Sequence, residues 1–132
     1  VIKHGTAKGQ LIGGNLFIIN SLLSTTYSPS YKHAIVFIED IEEGMHTFEY
    51  QLYQLKNSGV LNKINGIVIG HIDQWDNQKQ PLTSLIFNVI EDLNIPIIWA
   101  DYFGHYCKKF YTMPNGALAY LDTKKLTLSI NY

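Results

Sequence analysis

The chain has 132 residues, 46% of them hydrophobic and 13% aromatic, enough for one packed domain and too few for two of ordinary size. Ten Lys and Arg stand against 11 Asp and Glu, so no strong field marks nucleic acid or an anionic membrane as a partner, and a small molecule or another protein domain is expected instead. The single cysteine, Cys107, excludes an internal disulfide framework.

No apolar run approaches the roughly 20 residues of a spanning helix, and the N-terminus shows no signal-peptide pattern, so the expected compartment is the cytoplasm. The chain opens at Val1 rather than at a methionine, and a piece of a longer polypeptide is expected. In chain order, Asn15 is placed to cap an apolar helix from Leu16 to about Leu23, which Tyr27-Ser28-Pro29-Ser30 breaks. The branched and aromatic run from His33 to Ile38 reads as a buried strand, with the acidic cluster Glu39 to Gly44 as the loop after it. Leu52 and Leu55 recur at helical spacing after Phe48, up to Gly59. Gly66 to Ile72 is a second strand. Asp73 to Gln80 is read as an exposed loop closed by Pro81, which opens a helix from Leu82 to Leu93. Ile95 to Ala100 is a third short strand, with Pro96 near its start.

Beyond His105 the pattern changes. Phe110 to Met113, Ala117 to Leu121 and Leu126 to Ile130 alternate and are separated by Pro114-Asn115-Gly116 and Asp122-Thr123-Lys124-Lys125, which are hairpin signals. The expected fold is therefore a single α/β domain over residues 1–132, a β-α-β-α-β core with a mixed sheet and a terminal β-meander.

In open α/β sheets functional groups gather after the carboxyl ends of strands, and two such loops carry titratable groups, Glu39-Asp40 and Gly104-His105. A histidine that moves protons needs a carboxylate to hold its tautomer, which makes Glu39 and His105 the natural pair. On the residues alone, a solvated acidic loop and a structural histidine are the more common reading of such a pattern, and the chemistry by itself does not decide against them. His4, His33, His46 and His71 have no zinc spacing, and no metal or cofactor is expected. Cys107, two residues from His105, would make a Cys-His nucleophile conceivable, although a lone cysteine is more often a small buried hydrophobe. No serine sits in a Gly-x-Ser-x-Gly elbow, and Gly9 to Gly14 lacks the Lys-Ser/Thr of a phosphate loop.

An ordered set of segments resembles one family. Gly9-Gln10-Leu11-Ile12-Gly13-Gly14-Asn15-Leu16, Ile35 to Asp40, Gln54-Leu55 with Gly59-Val60-Leu61, Gly66 to Gly70, and Phe103-Gly104-His105 before the turn Thr112 to Gly116 are similar in order and separation to the C-terminal domains of LD-carboxypeptidases and microcin-immunity proteins. The resemblance implies a swivelling β/β/α-type fold and a Ser-Glu-His triad split between two domains. Glu39 and His105 match its acid and base, and an N-terminal domain of the same protein would bring the serine.

The implied reaction is removal of the terminal D-alanine from murein tetrapeptides during cell-wall recycling, by an enzyme commonly homodimeric. A sister branch hydrolyses the amide of peptide-nucleotide antibiotics. Without the serine the chain alone is expected to be inactive, and a stand-alone binding module is the alternative outside catalysis. Two departures from the family pattern are Thr47 and Tyr50, where arginines are usual, and a longer turn at Tyr106-Cys107-Lys108-Lys109.

Overall fold

The computed structural model describes residues 1–42, 44–73 and 82–131. The elements run β1 (Thr6–Asn15), α1 (Leu16–Leu22), β2 (Ile35–Asp40), α2 (Met45–Asn57), β3 (Gly66–Ile72), α3 (Leu82–Ile90), β4 (Ile97–Trp99), β5 (Leu118–Asp122) and β6 (Thr127–Asn131). One six-stranded mixed sheet orders them β4-β3-β2-β1-β5-β6, an α/β architecture as expected. Strands β1 to β4 are parallel, each joined to the next through a helix, whereas β5 and β6 are antiparallel.

The ten-residue β1 belongs to two ladders. Its first half, Thr6 to Gln10, pairs with β5, and its second half, Leu11 to Asn15, pairs with β2. This strand went unread in the sequence, where its glycines look like a loop. Two further corrections concern the expected elements. Glu39 and Asp40 are the last two residues of β2, buried within the strand rather than exposed in a loop. Residues 110–113 form no strand: among the described residues their one ladder-like contact is Tyr111 N–H donating to the carbonyl of Tyr102, so the meander is a single hairpin there. The expected loop from Asp73 to Gln80 and the Pro81 helix start lie, beyond Asp73, outside the described residues.

Helix α1 starts where Asn15 caps it, its side-chain oxygen accepting from Ile18 N–H at 3.2 Å. The helices bury one stripe each: Leu16 and Ile19 of α1, Phe48, Leu52 and Leu55 of α2, and Leu85, Ile86 and Val89 of α3 pack on Val36, Ile38, Ile67 and Ile69 of the sheet. Each such side chain contributes about 1.5–3 kcal/mol through removal from water. The opposite face of the sheet holds a second, smaller core of Leu11, Ile35, Phe37, Val68, Ile98 and Phe103, covered by Ala119 and Leu121 of β5 and flanked by Leu128 and Ile130 of β6. The hairpin thus curls back over the sheet, giving two layers of β structure backed by one of helix. Among the described residues no helix is long and apolar enough to cross a membrane.

Candidate active site

Side chains alternate along β2, so Ile35, Phe37 and Glu39 form one row on the hairpin-covered face. Two apolar residues lead to an acid at the carboxyl end of the strand. There the register changes: Ile38 pairs with Ile69 and Asp40 with Ile72, leaving Glu39 opposite both Gly70 and His71. An extra residue in one strand bends it and re-aims side chains locally. The bulge has a visible consequence, since Ile69 and Ile72, three apart, both reach the helix-covered core.

The chain returns over this edge after β4. Ala100 N–H donates to Ile69 O at 2.7 Å, the Trp99 indole N–H donates to Gly70 O at 3.0 Å, and His71 N–H donates to Phe103 O at 2.9 Å. Phe103 lies directly on Gly70, where a Cβ would come within 2.5 Å of its ring, and meets Phe37 edge-on at 5.7 Å between ring centres. Gly104 then turns the backbone through φ +107°, a region that L side chains rarely adopt, close against Glu39. That turn delivers His105 to the carboxylate.

Glu39 Oε2 accepts twice from the same residue, from the backbone N–H of His105 at 3.1 Å and from ring Nδ1 at 2.8 Å. A carboxylate oxygen only accepts, so Nδ1 carries the proton and Nε2 is left as the basic nitrogen of the neutral ring. The burial of the partners differs in a way that suits acid and base. The Glu39 side chain is 7% exposed and fixed, whereas that of His105 is 55% exposed and open to a reacting group. Beside them lies a shallow hollow of about 270 Å³ lined by Phe37, Phe103, Phe110, Tyr111 and Met113. A larger apolar cleft of about 810 Å³ continues from it between the hairpin and β4.

The structure therefore brings together Glu39 and His105, 66 positions apart in the chain. It does not make a nucleophile of Cys107, which is buried with its thiol donating to the carbonyls of Gly104 and Lys109 and so braces the His105 turn. No group of three or more metal-ligating side chains occurs among the described residues. Thr47 and Tyr50 lie in the first half of α2 with exposed side chains, and Tyr106, at φ +58°, reaches the carboxylate of Glu42 at 3.5 Å. Sequence reasoning missed a second histidine-carboxylate pair, His71 Nδ1 to Asp101 Oδ1 at 2.6 Å, because His71 was weighed only as a metal ligand.

A mixed sheet curled over itself thus carries a histidine and a buried glutamate paired at its carboxyl edge, an arrangement chemically able to pass a proton. Residues 8–121 match the model of the LD-carboxypeptidase C-terminal domain, and the chain belongs to that family. It is 32% identical over 130 residues to a probable murein peptide carboxypeptidase of Bacillus subtilis, an alignment covering 96% of this chain and 40% of that protein.

Among solved structures, the muramoyltetrapeptide carboxypeptidase of Oxalobacter formigenes superposes with a TM-score of 0.83 at 30% identity, covering 97% of this chain and 45% of the other. The microcin C7 self-immunity protein MccF in complex with glutamyl sulfamoyl guanosine superposes at 0.85 with 25% identity, covering 98% and 39%. The chain thus spans less than half the length of these relatives.

Proposed function

We propose that this chain is the acid-and-base domain of a serine carboxypeptidase acting on murein tetrapeptides, with Glu39 and His105 completing a triad whose serine and oxyanion hole come from an N-terminal domain of the same protein. The observation that carries the reading is the Glu39–His105 pair itself: a sealed carboxylate fixes the proton on Nδ1 and leaves the other nitrogen on an accessible ring. In this reaction His105 Nε2 takes the hydroxyl proton of the serine as its oxygen attacks the scissile carbonyl carbon. The tetrahedral adduct then expels the amine of D-alanine, which receives that proton from His105, and the acyl-enzyme is hydrolysed by a water activated in the same way. Glu39 stays unprotonated throughout, holding the ring and stabilising the imidazolium.

A second substrate class has its own support in the structural likeness to MccF, solved with an aminoacyl sulfamoyl nucleoside. The amide of a peptide-nucleotide antibiotic would be cut by the same proton relay. A cytoplasmic location, a part in peptidoglycan recycling and assembly as a homodimer belong to the same proposal.

The test uses the intact serine-bearing protein. Glu39→Gln keeps the size of the side chain but offers an amide to Nδ1, and turnover of murein tetrapeptide should fall by roughly 10³–10⁴ with the fold retained by circular dichroism. Near-normal turnover in Glu39→Gln or in His105→Ala would overturn the proposal. Parallel assays on the tetrapeptide and on a processed peptide-nucleotide separate the two substrate classes.

A further inference from the structure

The second histidine-carboxylate pair stands at the base of the turn that carries the first. His71 and Asp101 are held by different parts of the chain, the end of β3 and the start of the segment after β4, and their side chains meet at 2.6 Å. The same His71 donates its backbone N–H to Phe103 O at 2.9 Å. One residue thus grips the returning segment at two points, Asp101 by its ring and Phe103 by its backbone, immediately ahead of Gly104 and His105. The bulge in β3 is what frees His71 for this, because Ile69 and Ile72 on either side of the Gly70-His71 step both turn to the helix-covered core.

Other tethers also hold the segment: Tyr102 O accepts from Tyr111 N–H at 2.8 Å and Gly104 O from the Cys107 thiol at 3.2 Å, both from residues that follow it in the chain. The Ala100 and Trp99 hydrogen bonds fix its beginning, and the Phe103 ring rests on Gly70 and Phe37 by contact alone. Tyr102 N–H to Ala100 O, at 2.7 Å, ties the segment internally. Among the described residues, Asp73 also faces the His71 ring, at 4.0 Å from Nε2.

From this geometry we infer that His71 is a positioning residue for His105, acting through Asp101 and the Phe103 carbonyl to hold the turn in the register at which Glu39 captures Nδ1. His105 donates to Glu39 from both its backbone and its ring, so a small displacement of the turn loosens both bonds together. With the ring less firmly held, the proton exchanges between Nδ1 and Nε2 and the base nitrogen is occupied part of the time. A misplacement of this order costs rate more than substrate affinity. The kinetic consequence rests on the proposed function, whereas the effect on the His105 tautomer does not.

The experiment is imidazole ¹⁵N–¹H correlation spectroscopy of the full chain, together with steady-state kinetics of the serine-bearing protein, on His71→Leu, Asp101→Ala and His71→Asn. The unsubstituted protein should show His105 in the Nδ1–H form. His71→Leu and Asp101→Ala should give averaged shifts with a several-fold larger Nε2–H population, and kcat about tenfold lower with KM within twofold. His71→Asn, whose amide nitrogen sits the same number of bonds from Cβ as Nδ1, should restore both values. An unchanged His105 tautomer in His71→Leu and Asp101→Ala, or no recovery in His71→Asn, overturns the inference. Failure of the proposed function appears separately, as normal turnover in Glu39→Gln while the tautomer shifts still follow His71.

Discussion

Replacing Gly104 by alanine tests the site geometry at its tightest point. The added Cβ would lie 2.8 Å from Glu39 Cβ and 3.1 Å from Glu39 Oε2, and Cβ is not the free end of a flexible side chain that could swing aside. The backbone at φ +107° is itself unfavourable for alanine, at about 1–2 kcal/mol. Relief of the contact requires the turn to lift away from β2, which lengthens both hydrogen bonds from His105 to the Glu39 carboxylate. A hydrogen bond to a charged group contributes about 1.5–3 kcal/mol, and partial loss of two brings the total to roughly 3–5 kcal/mol. At this chain length about 3–5 °C of melting temperature is lost per kcal/mol, so a fall of about 10 °C or more is expected by thermal unfolding. The His105 imidazole should at the same time lose its fixed Nδ1–H signature in ¹⁵N spectra. A variant that melts within 2 °C of the parent, or keeps that signature intact, would show that Gly104 does not set the approach of His105 to Glu39.

Two further expectations follow from contacts elsewhere. Asn115 clamps the backbone of Gly13, accepting from its N–H at 2.8 Å and donating to its carbonyl at 3.1 Å, so Asn115→Ala should lose about 1–2 kcal/mol by denaturant titration; an unchanged midpoint would mean water replaces the clamp without cost. Burial of Tyr31 raises its hydroxyl pKa above the ordinary 10.0. The folded state therefore keeps the proton that the unfolded chain releases above that pH, so the stability contribution is complete below pH 10 and declines as pH rises through the folded value. In Tyr31→Phe that part of the alkaline destabilisation should be missing, and an identical alkaline limb in both proteins would refute the assignment.

The parts of the fold legible in the sequence are those where pattern and packing agree. Gly66 to Gly70 reads as a buried strand because both of its faces are covered, and Asp122 to Lys125 reads as a turn because Asp122 Oδ1 accepts from the N–H groups of Lys124 and Lys125. Strand β1 was illegible because Gly9, Gly13 and Gly14 suppress its strand propensity, while ladders on two sides make up the deficit through tertiary pairing. Phe110 to Met113 misled in the opposite sense: the alternation is real, but Phe110, Tyr111 and Met113 line the hollow beside His105 and form no strand. Glu39 and His105 were paired by a rule about strand ends and by family resemblance, and the structure places their side chains in contact. His71 carried no such signal, since its role depends on a bulge and on a residue 30 positions away, neither of which leaves a periodic trace.

The double membership of β1 bears on how the molecule assembles. Its first half waits for β5, and Gly5 and Thr123, 118 residues apart, exchange hydrogen bonds beside that ladder. The helical side of the sheet is built from neighbours in sequence, whereas the other side is roofed by a hairpin that leaves the ribosome after everything it covers. Without that hairpin, Leu11, Phe37, Val68 and Ile98 would lose their cover on the side where Glu39 stands, so a nascent chain stalled before residue 118 is expected to expose an apolar floor and to aggregate.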